Sequence, residues 1–120
     1  MSTKDTCCTI VPYFEVKDGC LGSFKELCQE LVREAHKEKG CLYYGFSFKG
    51  NTVHCREGYK DAEALILHLK NGMSLINRAL KISEIVRLEV HASEDEQREL
   101  KVFMEELNPE FFTLEYGFRR

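Results

Sequence analysis

Three residues in the middle of the chain carry side chains suited to proton chemistry: Glu57, Tyr59 and His68. A neutral imidazole has an unperturbed pKa near ~6.5, so His68 can accept a proton at neutral pH. By helical spacing it borders the apolar side of its helix, and its structural alternative is a hydrogen-bonded, half-exposed helix histidine. Glu57 and Tyr59 are two apart on an extended segment and therefore point the same way. A carboxylate and a phenol entering a semi-apolar pocket can orient a polar aromatic ligand, with a salt bridge at a rim or interface as the structural alternative for Glu57. Tyr44 stands among Tyr43, Phe46 and Phe48, residues suited to core and subunit contacts that can also edge a pocket. His54 and Cys55 are adjacent, so a strand sends them to opposite faces and a thiolate–imidazolium pair cannot form. No CxxC or HxxxH spacing occurs, so no structural metal site is expected. His36 falls in a helix's last turn, where it favours the dipole, and His91 lies at a strand end.

The elements that would position these groups read in order. Residues 8 to 16, CTIVPYFEV, form a strand whose Pro12 lacks an amide donor and predicts a bulge or one-sided pairing. A turn over 18 to 22 leads into Ser23-Phe24-Lys25-Glu26, which matches a capping box. Phe24, Leu27, Cys28, Leu31, Val32 and Ala35 then recur at helical spacing, and Lys37, Lys39 and Gly40 supply a basic last turn and a stop. GCLYYGFSFKGNTVHCREGY is a hairpin, with strands at about 41 to 48 and 52 to 59 around Lys49-Gly50-Asn51. Asp61 caps a second helix expected to end at Asn71-Gly72, followed by a further helical segment over 73 to 80. SEIVRLEVH is a strand. Ser93 to Glu96 is a second capping box opening a helix that Asn108-Pro109 stops, and FFTLEYGF closes the chain as a strand over 111 to 118.

The sequence has 120 residues, enough for one domain spanning 1 to 120. A charged fraction of 31% with a net charge of −3, and scattered Lys and Arg, give no footprint for nucleic acid or an anionic membrane. No stretch approaches the ~20 apolar residues of a membrane span, and the N-terminus does not read as a secretion signal. Most of the six cysteines are therefore expected to be reduced, in a cytoplasmic setting, acting as small apolar residues; a thiol redox role would rest on their number alone.

The order β-α-β-β-α-β plus an additional α-β unit predicts an α+β fold: a ferredoxin-like split βαβ with an antiparallel sheet and helices on one face. The strands carry apolar or aromatic residues on both faces, with Leu42, Tyr44, Phe46 and Phe48 opposite Cys41 and Tyr43. The bare face then needs cover, and a second copy packing about a twofold axis would provide it.

The segments VPYFEVKDGCLGSFKEL, EKGCLYYGF and REGYKDAEALILHL resemble the antibiotic biosynthesis monooxygenase family of the dimeric α+β barrel superfamily, over about residues 8 to 81. The resemblance implies a homodimeric barrel with a pocket between sheet and helices in each subunit. It also implies a cofactor-independent monooxygenase acting on a small phenolic or quinol-type substrate, without metal or flavin. Members commonly place Trp where this chain has Tyr59, and a histidine at the position of His68. On this reading His68 is the base, and Tyr59, Glu57 and Tyr44 contact the ring. The haem-degrading branch uses an Asn on the first strand, which TIVPYFEV lacks. The competing expectation is a non-catalytic homodimeric binding or interaction module of the same fold.

Overall fold

A computed structural model describes residues 4–120. Its elements run β1 (Cys8–Val16), α1 (Leu21–Lys37), β2 (Cys41–Lys49), β3 (Thr52–Tyr59), α2 (Ala62–Lys81), β4 (Ser83–Ala92), α3 (Glu94–Phe103), a 3-10 turn (Glu105–Leu107) and β5 (Glu110–Thr113). The sheet order is β2-β3-β1-β4-β5. The first four strands are antiparallel, as a split βαβ requires, and β5 joins the edge of β4 in parallel. The fold is thus the expected α+β, ferredoxin-like arrangement, and in the single chain the sheet remains open.

Strand alternation decides which side chains face the helices. Cys8, Ile10, Phe14 and Val16 of β1, and Val53, Cys55, Glu57 and Tyr59 of β3, are all buried on that side. Pro12 behaves as its chemistry demands: it pairs with Leu88 of β4, the pairing to β3 skips from Ile10 to Tyr13, and the β4 register shifts after Tyr13. From α1, Phe24, Leu27, Cys28, Leu31 and Ala35 meet the sheet. Each large apolar side chain buried there contributes about 2 kcal/mol. The core forms two clusters, one around Tyr59, Leu65 and Leu100 and one around Phe14, Phe24 and Val53.

Several local expectations need correction. Helix α1 starts at Leu21, with Cys20 at its N-cap and no side-chain cap. The Phe24 amide bonds to the Cys20 carbonyl, so the first turn closes before Ser23 can cap it. The second capping box is half formed: Ser93 accepts from the Glu96 amide, whereas the Glu96 carboxylate reaches across to the Ala62 amide at 2.9 Å. Helix α2 does not stop at Gly72 but continues to Lys81. Gly72 is buried against Ile76 and Leu31, and packing there outweighs the ~1 kcal/mol propensity cost of a mid-helix glycine. The last strand is only Glu110–Thr113; Tyr116 and Phe118 lie beyond it, exposed. Cys41 also changes sides: a register shift between Cys41 and Tyr43 turns it into the core beside Tyr59.

Candidate functional site

Between the two core clusters lies a cavity of about 430 Å3, lined on one flank by Ile10 and Leu69 and on the other by Phe14, Phe24 and Ala79. Tyr44 and Phe46 of β2, Met73 and Ile76 of α2, and Val102 and Leu107 from the C-terminal unit complete most of an apolar wall. The buried polar groups in its lining are Glu57 and His68, and Asn77, Glu105 and Glu106 line it as well. A volume of this size fits a small organic molecule.

Glu57 is brought there by strand period. It shares the helix-facing side of β3 with Tyr59, whose hydroxyl donates to Glu57 Oε1 at 2.7 Å. His68 arrives from the second turn of α2, a helix whose start is fixed by the Asp61 carboxylate accepting from the Ala64 amide at 2.8 Å. Its Nε2 stands 3.4 Å from Glu57 Oε1. Its Nδ1 stands 2.6 Å from Glu38 Oε1. The imidazole, 3% exposed, is thus held between two carboxyl groups. Its ring lies against Tyr59 and Tyr44, with centroids 5.0 and 5.3 Å away.

Glu38 has no spacing relation to the other site residues. It is the C-cap of α1, where the backbone turns extended and its amide bonds back to the Ala35 carbonyl. Two residues on, Gly40 presses against α2 so closely that a Cβ there would stand 2.5 Å from the Ala64 Cβ. That contact seats the α1–β2 turn on the start of α2 and sets Glu38 beside His68. Asn71 Nδ2 donates to Glu38 Oε2 at 3.3 Å and fixes the second oxygen.

Burial raises the Glu57 carboxyl above its ordinary value of 4.5; the His68 charge and hydrogen bonds from Tyr59 and Cys55 oppose the shift, and Glu38 adds to it. The Tyr44 and Tyr59 phenols are pushed up by burial and then by the Glu57 charge. Burial also holds the thiols protonated, Cys41 up to about 11 and Cys28 up to about 12, with Cys7, Cys8 and Cys55 raised as well. All six cysteines are free, and these five lack the thiolate character that redox exchange needs. The two ring nitrogens of His68 thus each face a carboxyl oxygen, Nε2 that of Glu57 at 3.4 Å and Nδ1 that of Glu38 at 2.6 Å. Among the described residues no cluster of three metal-ligating side chains occurs, and no helix is long and apolar enough to cross a membrane.

Of the residues expected at a site, Glu57, His68 and Tyr44 meet at the cavity wall. Tyr59 stands behind them, fully buried in the core, and touches Glu57 instead of the open space. His54 packs on Tyr13 on the opposite face of the sheet. Sequence reasoning missed Glu38, and no motif marks it; its only signal was its place where α1 must turn back toward α2.

The fold has clear precedents. An antibiotic biosynthesis monooxygenase superposes over 69% of this chain and 92% of its own, with a TM-score of 0.61 and 18% identity. SnoaB from Streptomyces nogalater, a cofactor-independent oxygenase solved as a mutant, covers 74% of this chain and 94% of its own at a TM-score of 0.65 and 13% identity. MupZ from Pseudomonas fluorescens is 41% identical over 100% of this chain and 94% of its own, at a TM-score of 0.93. The chain belongs to one family with MupZ, and its fold is that of the antibiotic biosynthesis monooxygenases. The two distant structures match only about seven tenths of this chain, whereas MupZ matches all of it, so the full architecture with its C-terminal unit is shared with MupZ. No family profile and no curated protein matches the sequence.

Proposed function

We propose that this protein is a cofactor-independent enzyme that binds a small, uncharged, largely apolar molecule in the cavity and moves protons at the Glu57–His68 end. The observation that carries this reading is the carboxyl–imidazole–carboxyl chain opening onto a mainly apolar space of about 430 Å3. The oxygenase neighbours favour oxygen chemistry on a phenol or quinol. Loss of the phenolic proton to the His68–Glu57 pair lets the ring pass an electron to dioxygen. Radical recombination forms a carbon–oxygen bond, and protonation by Glu57 helps the resulting hydroperoxide lose water to give a quinone. One oxygen atom stays on the ring and the other leaves as water. Tyr44 would contact the ring; Tyr59 would orient Glu57.

A second reading is favoured by the raised Glu57 carboxyl: general-acid catalysis with no change of oxidation state, the acid protonating an oxygen of the substrate. Incubation with a panel of hydroquinones and polyphenols, with oxygen uptake and product mass recorded together, separates the two. Uptake abolished in His68→Ala supports oxygenation. Conversion without uptake supports the acid reaction. Saturable binding without conversion leaves a binding module.

The working unit is proposed to be a homodimer. Tyr13, Tyr43 and Phe112 lie on the sheet face away from the helices, and Tyr43 and Phe112 are more than a third exposed. Tyr116 and Phe118 beyond β5 are exposed as well. A second copy would cover this surface. Sedimentation at micromolar concentration should give a dimer mass, and a stable monomer would refute it.

A further inference from the structure

The His68–Glu38 pair stands between two separate spaces. On one side is the apolar cavity, which includes His68 and Glu57 in its lining and leaves out Glu38. On the other is an open polar cleft lined by Glu38 with Lys37, Lys60, Asp61 and Asn71, and His68 takes no part in it. Glu38 faces that cleft with 13% of its side chain exposed, yet its Oε1 is 2.6 Å from the buried Nδ1. We propose that Glu38 is the solvent-side port of the site, a positioning residue that passes protons between the polar cleft and Glu57 through the His68 imidazole while the substrate occupies the cavity. This role rests on the acid–base reading given above and deepens it.

The proton count closes. A substrate proton arriving at Nε2 lets Nδ1 pass its own proton to Glu38, which leaves a neutral ring protonated on Nε2 and an acid in exchange with cleft water. After Glu57 has given up its proton, Glu38 returns one to Nδ1 as the proton on Nε2 passes to Glu57. The imidazole is then neutral with Nδ1 protonated as at the start, Glu38 ends ionised, and Glu57 ends as the acid. Without such a port an occupied cavity would cut Glu57 off from water, because its remaining neighbours are apolar walls, phenols and thiols. Those neighbours do not compete for the proton. Tyr44 and Cys41 of β2, Cys55 and Tyr59 of β3 and Cys28 of α1 are all held protonated by burial. On the cleft side the charged groups are Glu34, Lys37, Glu38, Lys39, Lys60, Asp61 and Glu63, and it is the Glu38 carboxylate that reaches the imidazole.

The test does not need the natural substrate. Nitrogen-15 spectra of the histidine side chains report which ring nitrogen of His68 carries the proton, and the exchange of that hydron with solvent gives a rate. The wild-type protein should show protonated Nδ1; a ring protonated on Nε2 alone overturns the proposal. Glu38→Gln keeps an oxygen for Nδ1–H and an amide toward the cleft but cannot carry a proton. With the tautomer retained, exchange should slow by about tenfold or more, since a positioned acid–base group contributes on this scale. Glu38→Asp should recover part of the rate, which a purely structural role would not. Unchanged exchange in Glu38→Gln overturns the port. If Glu38→Gln does not fold, the wild-type tautomer and the Glu38→Asp exchange rate decide. Turnover of phenols with unchanged exchange removes the port and keeps the enzyme; slowed exchange with no turnover on any panel keeps the port and removes the oxygenase.

Discussion

Replacing Tyr59 by Phe would test the buried chain most directly, because it deletes one hydroxyl and leaves the ring. That hydroxyl donates to Glu57 Oε1 at 2.7 Å in the core, and Tyr59 itself is fully buried. The phenyl ring keeps its contact with the imidazole, so little packing is lost. What remains for the carboxyl is His68 Nε2, at the longer distance of 3.4 Å, and the weak thiol donor of Cys55. A lost hydrogen bond to a neutral partner costs about 1 kcal/mol, and one to a charged group about 1.5–3 kcal/mol. The sign with pH follows. The hydrogen bond from Tyr59 favours the ionised carboxylate, so its loss raises the Glu57 carboxyl further and the native variant binds more protons than the native wild type. The penalty of Tyr59→Phe should therefore be smallest, near ~1 kcal/mol, at the acid end of the range and grow as pH rises and Glu57 ionises. Urea unfolding followed by circular dichroism at fixed protein concentration from about pH 5.5 to 9 measures it. A cost below ~0.3 kcal/mol throughout, or one that shrinks as pH rises, would refute both the hydrogen bond and the buried acid.

Other substitutions follow from the same geometry. Glu57→Gln should abolish turnover while flattening the pH dependence of stability. The wild-type carboxyl is raised in the folded state, so it costs stability as pH climbs above the ordinary 4.5, a loss that an amide does not share; denaturation midpoints in mild acid and mild base check this. His68→Ala should destabilise by about 3 kcal/mol, because Glu38 and Glu57 are left facing each other across a buried void, and a thermal-melt shift near zero would contradict the contact. Gly40→Ala should cost about 1–3 kcal/mol, since its Cβ would meet the Ala64 Cβ at 2.5 Å and must lift the α1–β2 turn off α2. The same variant should shift the His68 ring signals by drawing Glu38 away, and unaltered signals would break that link.

Sequence alone decided whatever depends on short-range pattern. The alternation of β1 and β3 follows from residue types two apart, and that alternation put Glu57 and Tyr59 on one side and split His54 from Cys55. The caps at Asp61 and Ser93 are local chemistry between a side chain and an amide three residues on. Helical spacing from Phe24 to Ala35 marked the buried face of α1 except at Val32, which lies at its edge and is exposed. Tertiary structure decided whatever depends on meetings across distance. Glu38 and His68 are 30 residues apart and meet only because a glycine without a Cβ lets one turn settle on another helix. Gly72 reads as a stop until Leu31 and Ile76 pack around it. The parallel placement of β5 depends on a free edge of β4 that no residue of β5 announces. Above all, a glutamate close to a tyrosine in sequence is an ordinary surface pair. It becomes a raised, proton-holding acid only when β2, β3 and α2 together exclude water from it.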